Sequence, residues 1–299
     1  MPDDVVVICN STAGAGCPND WEQQLRAHFE RAGAQARVHM VNNGAAIQGA
    51  VREALAQGVQ RIVAGGGDGT ISAVASELVG QDAVLGVLPL GTLNHFAKDL
   101  GIPLDLEAAV DTAVNGEVTP IDAAKVNDRV FINNSSLGLY PDIVRLRERH
   151  QRRLGHGKWR ALLEASIGMA KKYPMLTVEI DIAGERHVLH TPFVFVGNNE
   201  YTMQGFEIGE RRTLQDGRLS LYVTHRTGRL GLLRLATLAL LRRLDQARDF
   251  ATTTATSFTV RTGHSHLRVA TDGEVTRMET PLHYRVLPGA LKVALPKAS

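Results

Sequence analysis

The stretch RIVAGGGDGTISAV, residues 61 to 74, constrains the fold more tightly than any other part of the chain. The apolar run 61–64 reads as a buried strand, and four glycines then crowd around Asp68. Beyond them Ile71, Val74, Ala75, Leu78 and Val79 recur at the spacing of one helix face, which predicts a helix over 70–79. A strand that turns at once into a helix belongs to a parallel sheet, because parallel neighbours need a crossover and the helix supplies it. The pattern repeats. Apolar runs at 5–9, 36–41 and 84–88 alternate with helical patterns near 20–32, 45–57 and 92–100, and Asp105 caps a further helix that ends near Gly116. The expectation is an N-terminal doubly wound α/β domain.

After about residue 122 the texture changes to β-branched, alternating stretches at 123–133, 175–182, 188–197, 219–224, 255–262, 267–271 and 274–278. Asn127-Asp128 and Asp272-Gly273 are turn signals between some of them, so this half is expected to be an antiparallel, β-sandwich-like domain with inserted helices. A chain of 299 residues has room for about two domains of roughly 100–200 residues each. The boundaries read from the texture are 1–122, with the C-terminal segment 287–299 as a candidate completion, and 123–286. Two insertions are basic: 141–172, which contains RLRERHQRRLGHGKWR at 145–160, and LGLLRLATLALLRRL at 230–244.

Composition excludes several classes. With 33 basic and 31 acidic side chains the net charge is +2, so no overall field marks a nucleic-acid binder. Cys9 and Cys17 are too few for a disulfide framework, and no spaced Cys/His set suggests structural zinc, which fits a reducing cytoplasm. MPDDVVVICN is acidic before only five apolar residues, unlike a signal peptide, and the most apolar later segment is interrupted by Arg234, Arg242 and Arg243. No membrane span is expected.

Asp68 is the odd residue in its loop. A glycine-rich turn at a helix start offers bare amides and partial positive charge to a phosphate, whereas a carboxylate there repels it. The simplest reading is a tight turn with Asp68 as a cap. The loop has no GxxxxGK[ST] lysine, and its likeness to a dinucleotide fingerprint is weak. A carboxylate beside polyphosphate becomes reasonable when a cation lies between them, since Mg²⁺ takes oxygens from both. A second stretch, LPLGTLNHFAKDLGIP at 88–103, repeats the design with Gly91, Thr92 and Asn94 opening a helix, so two loops can serve one ligand at the same sheet edge.

Four motifs in order, GGGDGT, PLGTLNHFAKDLGIP, LQDGRL and TDGE, resemble those of the soluble bacterial lipid kinases of the diacylglycerol kinase and sphingosine kinase superfamily, and the resemblance covers essentially the whole chain. It implies an α/β nucleotide-binding domain followed by a β-sandwich-like domain, ATP as phosphoryl donor, Mg²⁺, and a lipid hydroxyl as acceptor. It implies a peripheral cytoplasmic enzyme that meets its lipid transiently at a membrane surface, with a homodimer as a further expectation. Carried over by motif, the nucleotide site comprises Asn10, Gly66, Gly67, Asp68, Gly69, Thr70, Ile71, Ser72, Thr92 and Asn94. Glu274 corresponds to the general base, with Asp68 as its partner in catalysis. Asp216 corresponds to a structural Mg²⁺ ligand, joined by the main-chain oxygens of Thr213 and Arg218. Taken alone, Asp272-Gly273 predicts only a hairpin turn with Glu274 flanking it, and Asp216-Gly217 only a turn.

Two positions depart from the family pattern: Met40 stands where relatives often have threonine, and His95 where many have aspartate. His95 reads as a surface residue of a first helical turn. The pairs His187/His190 and His264/His266 lack a carboxylate or cysteine companion in sequence and read as surface strand residues. Cys9 reads as a small buried residue. The basic run 145–160 is a candidate docking surface for an anionic leaflet, weighed against ordinary solvation. Two other functions stay open at this point. One is a soluble-substrate kinase on the NAD-kinase or phosphofructokinase-like plan, which shares the GGDG loop; the other is a nucleotide-binding regulator without catalysis.

Overall fold

The computed structural model describes residues 5–11, 20–138, 175–204, 207–211, 213–224 and 250–297. Cys17 and the two basic insertions, 141–172 and 230–244, lie outside the described residues. The chain divides into two compact units, residues 1–123 with 287–299, and residues 124–286.

In the first unit the strands β1 (Val5–Asn10), β2 (Ala36–Val41), β3 (Arg61–Gly66) and β4 (Val84–Pro89) form a parallel sheet in the order β2-β1-β3-β4. The end of β18 (Leu282–Leu295) adds to it in parallel, with Lys292 opposite Val84 and Val293 opposite Leu85. The near-continuous apolar strands have the burial that a sheet covered on both faces demands: Val5 through Cys9 and Ile62 through Gly66 are buried throughout. The cover is α1 (Trp21–Arg31), α2 (Gly44–Ala56), α3 (Asp68–Leu78) and α5 (Leu106–Asn115), with α1 packed on α5 and α2 on α3.

Local chemistry sets the helix starts. Asn43 caps α2 by accepting the Ala46 amide at 2.9 Å, and Asp105 caps α5 by accepting the Ala108 amide at 3.0 Å. The apolar face of α3 is buried as its spacing predicts, except that Val79 is the half-exposed residue that ends the helix. The helix expected over 92–100 is shorter, only α4 (His95–Asp99). Asn94 adopts a left-handed φ of 51°, which an α-helix cannot continue through, so the helix starts after it.

The second unit is antiparallel. One sheet runs β14 (Phe250–Ala255), β13 (Leu219–Thr224), β10 (Phe193–Asn198), β7 (Asn134–Gly138), β16 (His266–Thr271), β17 (Glu274–Glu279). The other pairs the start of β18 with β15 (Ser257–Thr262), β8 (Leu176–Ile182) and the edge strand β9 (Glu185–Thr191). Leu137, Val196, Leu221 and Val269 of the first sheet share a core with Val178, Ile180, Val260 and Leu282 of the second. Within that core Tyr284 stacks on Phe258 at 4.9 Å and meets Phe131 edge-on at 6.4 Å. A small hairpin, β11 (Tyr201–Gln204) with β12 (Glu207–Arg211), stands apart.

Three of the β-rich stretches hold two strands each, the first dividing at its own turn signal. The stretch 123–133 is a hairpin in which β5 (Glu117–Val126) turns at Asn127-Asp128 into β6 (Arg129–Phe131). The stretch 188–197 is broken at Pro192, which has no N–H for a ladder, so β9 ends and β10 begins around it. The stretch 255–262 is broken at Thr256, where the chain leaves β14 for β15.

Candidate nucleotide loops and the carboxylate turn

In the first unit, two loops after β3 and β4 are built against each other. Gly67 caps α3 and accepts the Thr70 and Ile71 amides at 2.9 and 3.1 Å. The amide of Leu90 in turn donates to the Gly66 carbonyl at 3.0 Å. The backbones touch at two glycines: a Cβ on Gly91 would stand 2.5 Å from the Gly67 Cα. Neither glycine has a positive φ, so what selects glycine here is the close approach itself.

Asp68, the first residue of α3, reaches across that contact. Its Oδ1 accepts the Phe96 amide at 3.1 Å and caps α4 from another helix. The carboxylate therefore has a structural task, but not that of capping its own turn: α3 is capped by Gly67 with no side-chain bond and Asp68 serves α4, while Oδ2 is left without a hydrogen-bond partner among the described residues. Around it the first-turn amides of Asp68 and Gly69 lack intrahelical partners, as at any helix start. Asn10 closes the site from the end of β1, its Nδ2 donating to Thr70 Oγ1 at 3.2 Å.

The ten nucleotide candidates are thus brought to one sheet edge but do not present equivalent side chains. Thr92 is exposed, and Asn10, Asp68 and Ser72 are half-buried. Ile71 is fully buried in the core under α3, so its side chain is packing, not a ligand contact. Asn94 is 6% exposed and spends its amide on its own loop. Nδ2 donates to the carbonyls of Pro89 and Gly91 at 3.1 and 3.0 Å, and Oδ1 accepts the Gly91 amide at 3.0 Å. It braces the loop from within. His95 is exposed, as expected, and Met40 is half-buried on β2.

The second unit presents Glu274. Asp272 and Gly273 both have positive φ, 47° and 87°, which is the signature of a two-residue hairpin turn joining β16 to β17. Thr271 and Glu274 are the closing pair. Asp272 does more than turn. Its Oδ2 accepts the Ile132 amide at 2.9 Å and its Oδ1 those of Asn133 and Asn134 at 2.8 and 3.1 Å. The carbonyls of that same segment are held from the other side. Ile132 O accepts from Asn198 Nδ2 at 2.9 Å and from the buried Arg211 at 2.7 Å, while Asn133 O accepts the Tyr201 hydroxyl at 3.0 Å. Arg129 completes the surround: its guanidinium donates to Thr271 Oγ1 at 2.8 Å and to Glu274 Oε2. Arg211 and Arg129 lie in none of the four motifs and Asp272 reads in its motif only as a turn former, while the partners of all three lie far along the chain.

Asp216 is exposed, and Arg218 O already accepts the Asn199 amide at 2.9 Å with one of its two lone pairs. One carboxylate and two main-chain carbonyls are hard oxygen donors that fit Mg²⁺. The described residues contain no cluster of three or more His, Cys, Asp or Glu able to hold a metal. His187, His190, His264 and His266 are exposed, and Cys9 is buried. No helix among the described residues is long and apolar enough to cross a membrane.

Residues 4–126 match the diacylglycerol kinase catalytic domain, and residues 145–295 match the YegS C-terminal NAD kinase beta sandwich-like domain. The chain is 30% identical to the probable lipid kinase YegS of Salmonella arizonae, over 99% of this chain and 97% of that one. It is 30% identical to the diacylglycerol kinase of Bacillus subtilis over 78% of each. A probable lipid kinase YegS-like protein of Klebsiella pneumoniae is 50% identical over 91 residues, a match that spans only 31% of its length. In fold it resembles the crystal structure of a putative diacylglycerol kinase from Bacillus anthracis, with a TM-score of 0.74 at 24% identity, covering 99% and 98% of the two chains.

Proposed function

The chain belongs to the family of YegS-like, diacylglycerol kinase-related lipid kinases, and on that premise we propose that it transfers the γ-phosphate of ATP to a lipid hydroxyl. The observation that carries the reading is the pair of loops closed on each other at Gly67 and Gly91, with a carboxylate at a helix start whose first-turn amides have no partner within the helix. Amides receive phosphate oxygens. Asp68, with its Oδ2 free, would help hold the Mg²⁺ that accompanies the nucleotide as substrate, and that ion would neutralise phosphate charge. That resolves the conflict between a carboxylate and a phosphate cradle.

Phosphoryl transfer asks a protein for positioning, charge neutralisation and a proton acceptor. Glu274 takes the proton from the lipid hydroxyl as its oxygen bonds to the γ-phosphorus. The bond from that phosphorus to the bridging oxygen of ADP breaks, and the products are a lipid phosphate and ADP. Asp216, with the carbonyls of Thr213 and Arg218, would hold a second, structural Mg²⁺, whose role is to fix the loop after β12. The acceptor is a diacylglycerol-like lipid met at a membrane surface. The alternative acceptor is a soluble molecule such as NAD, since the sandwich half is also described as NAD kinase-like.

The deciding experiment incubates the purified chain with radiolabelled ATP, Mg²⁺ and a panel of lipids in mixed micelles, with NAD as the soluble control. Label in a lipid phosphate is the expected result. Label only in the NAD product, or ATP binding with no transfer at all, would overturn it.

A further inference from the structure

We propose that Arg129 is a positioning residue for Glu274, holding Oε2 so that Oε1 is the oxygen that accepts the substrate proton. The inference rests on the reading of Glu274 as the base.

Glu274 is the first residue of β17, and its side chain is 62% exposed. A glutamate in that setting samples several rotamers, whereas a general base must sit within about 2.6–3.2 Å of the oxygen whose proton it takes, in line with the O–H bond. Something has to select one rotamer. Arg129 is placed to do so because its planar guanidinium spans both residues of the pair that closes the turn. Nε donates to Thr271 Oγ1 at 2.8 Å, and Nη2 donates to Glu274 Oε2. Thr271 is only 2% exposed, so the arginine is referenced to a fixed point of β16 and cannot simply follow the glutamate.

The other end of Arg129 is equally fixed. It pairs with Val126 across the β5–β6 hairpin, and the segment after β6 gives three amides to Asp272, the residue two before Glu274. Backbone and side-chain bonds thus close a ring: Arg129, residues 132–134, Asp272, the turn, Glu274, and back to Arg129. Stability does not explain the last link, because ion pairs between side chains this exposed contribute little. Orientation does. With Oε2 engaged, Oε1 has no hydrogen-bond partner among the described residues and is the oxygen available for a proton.

The test is steady-state kinetics of the full chain in the mixed-micelle assay, with Arg129→Met and Arg129→Lys alongside Glu274→Gln and the double variant Arg129→Met/Glu274→Gln. Loss of the guanidinium lowers kcat by about 10- to 100-fold, as mispositioning of a catalytic group does, while KM for ATP stays within about two-fold because ground-state binding is untouched. Lysine keeps the charge but cannot span both partners, so Arg129→Lys recovers part of the loss. In the Glu274→Gln background the arginine change costs nothing further. Unchanged kcat in Arg129→Met, or a loss confined to KM for ATP, overturns the inference. So does an equal fold-loss in the Glu274→Gln background, which leaves the base assignment standing. Wild-type turnover in Glu274→Gln removes the base itself, and the inference with it. If circular dichroism shows Arg129→Met unfolded, Arg129→Lys decides: full kcat in that variant overturns the proposal.

Discussion

The carboxylate of Asp68 accepts the backbone amide of Phe96 at 3.1 Å, tying the start of α3 to the start of α4 across the contact between Gly67 and Gly91. One side chain therefore carries two tasks, a brace and a charge, and substitution can separate them. Asp68→Asn keeps an acceptor for Phe96 and removes the charge. It is expected to unfold in urea at the wild-type midpoint and to lose turnover. Asp68→Ala loses both, and its missing cap costs about 1 kcal/mol as well. Near-normal phosphorylation by Asp68→Asn would show that the charge is not needed.

Gly91→Ala tests the closeness of the two loops. The added methyl would meet the Gly67 Cα at 2.5 Å and Asn94 Oδ1 at 2.8 Å, and backbone on one side cannot yield cheaply. Overpacking of this kind costs about 1–3 kcal/mol. Because the strain is relieved by parting the loops, KM for ATP rises as well. A variant with unchanged melting temperature and unchanged KM would mean that the loops do not act as one cradle.

Glu274→Gln keeps the size and polarity of the side chain but cannot take a proton. Losing a general base lowers kcat by about 10²–10⁴-fold. Binding of ATP, measured by calorimetry, is expected to stay unchanged. A rate equal to wild type would reduce Glu274 to a strand residue beside a turn.

Asp272→Asn probes the anchor beneath that glutamate. Three backbone amides converge on the Asp272 carboxylate, and an asparagine turns one of its two oxygens into a donor that faces a donor. Leaving such a group unmet costs about 1–3 kcal/mol. Chemical denaturation should show that loss, together with a fall in kcat as Glu274 loses its fixed base. Wild-type stability would contradict the clamp.

Two tyrosines should ionise late. Burial pushes the hydroxyl of Tyr284 well above the ordinary tyrosine range, only partly offset by its hydrogen bond with Ser135. Burial also raises Tyr222, against the Tyr201 amide that donates to its oxygen. A raised folded value means that the native state holds its proton more tightly. Its contribution to stability is then complete below the unfolded value of about 10 and is lost as pH rises beyond it. Absorbance at alkaline pH should show Tyr222→Phe and Tyr284→Phe each removing amplitude from the late step only. Amplitude lost from the early step would count against the assignment.

Much of the first unit was legible because its signals are local. The α3 face follows from a 3.6-residue period, and Asp105 caps α5 as its position next to the helix suggests. The two glycine loops followed for the same reason: a strand run, glycines, then a helical period can be read within a dozen residues. Where the reading missed, a single backbone fact intervened. Pro192 divides 188–197 because it lacks a donor, and the left-handed Asn94 shortens the helix after it.

The tertiary structure alone decided what those loops and turns are made to do. Asn94 reads as a ligand residue in its motif, yet its amide is consumed by Pro89 and Gly91. Asp272 reads as a turn former, yet it gathers amides from residues 132 to 134. Arg129 meets Glu274 across 145 positions of sequence. Period and propensity describe neighbours within about a turn of helix or a strand pair. A side chain's hydrogen-bond partners are set by which strands lie side by side, and strand order is fixed only when the whole core of each unit packs.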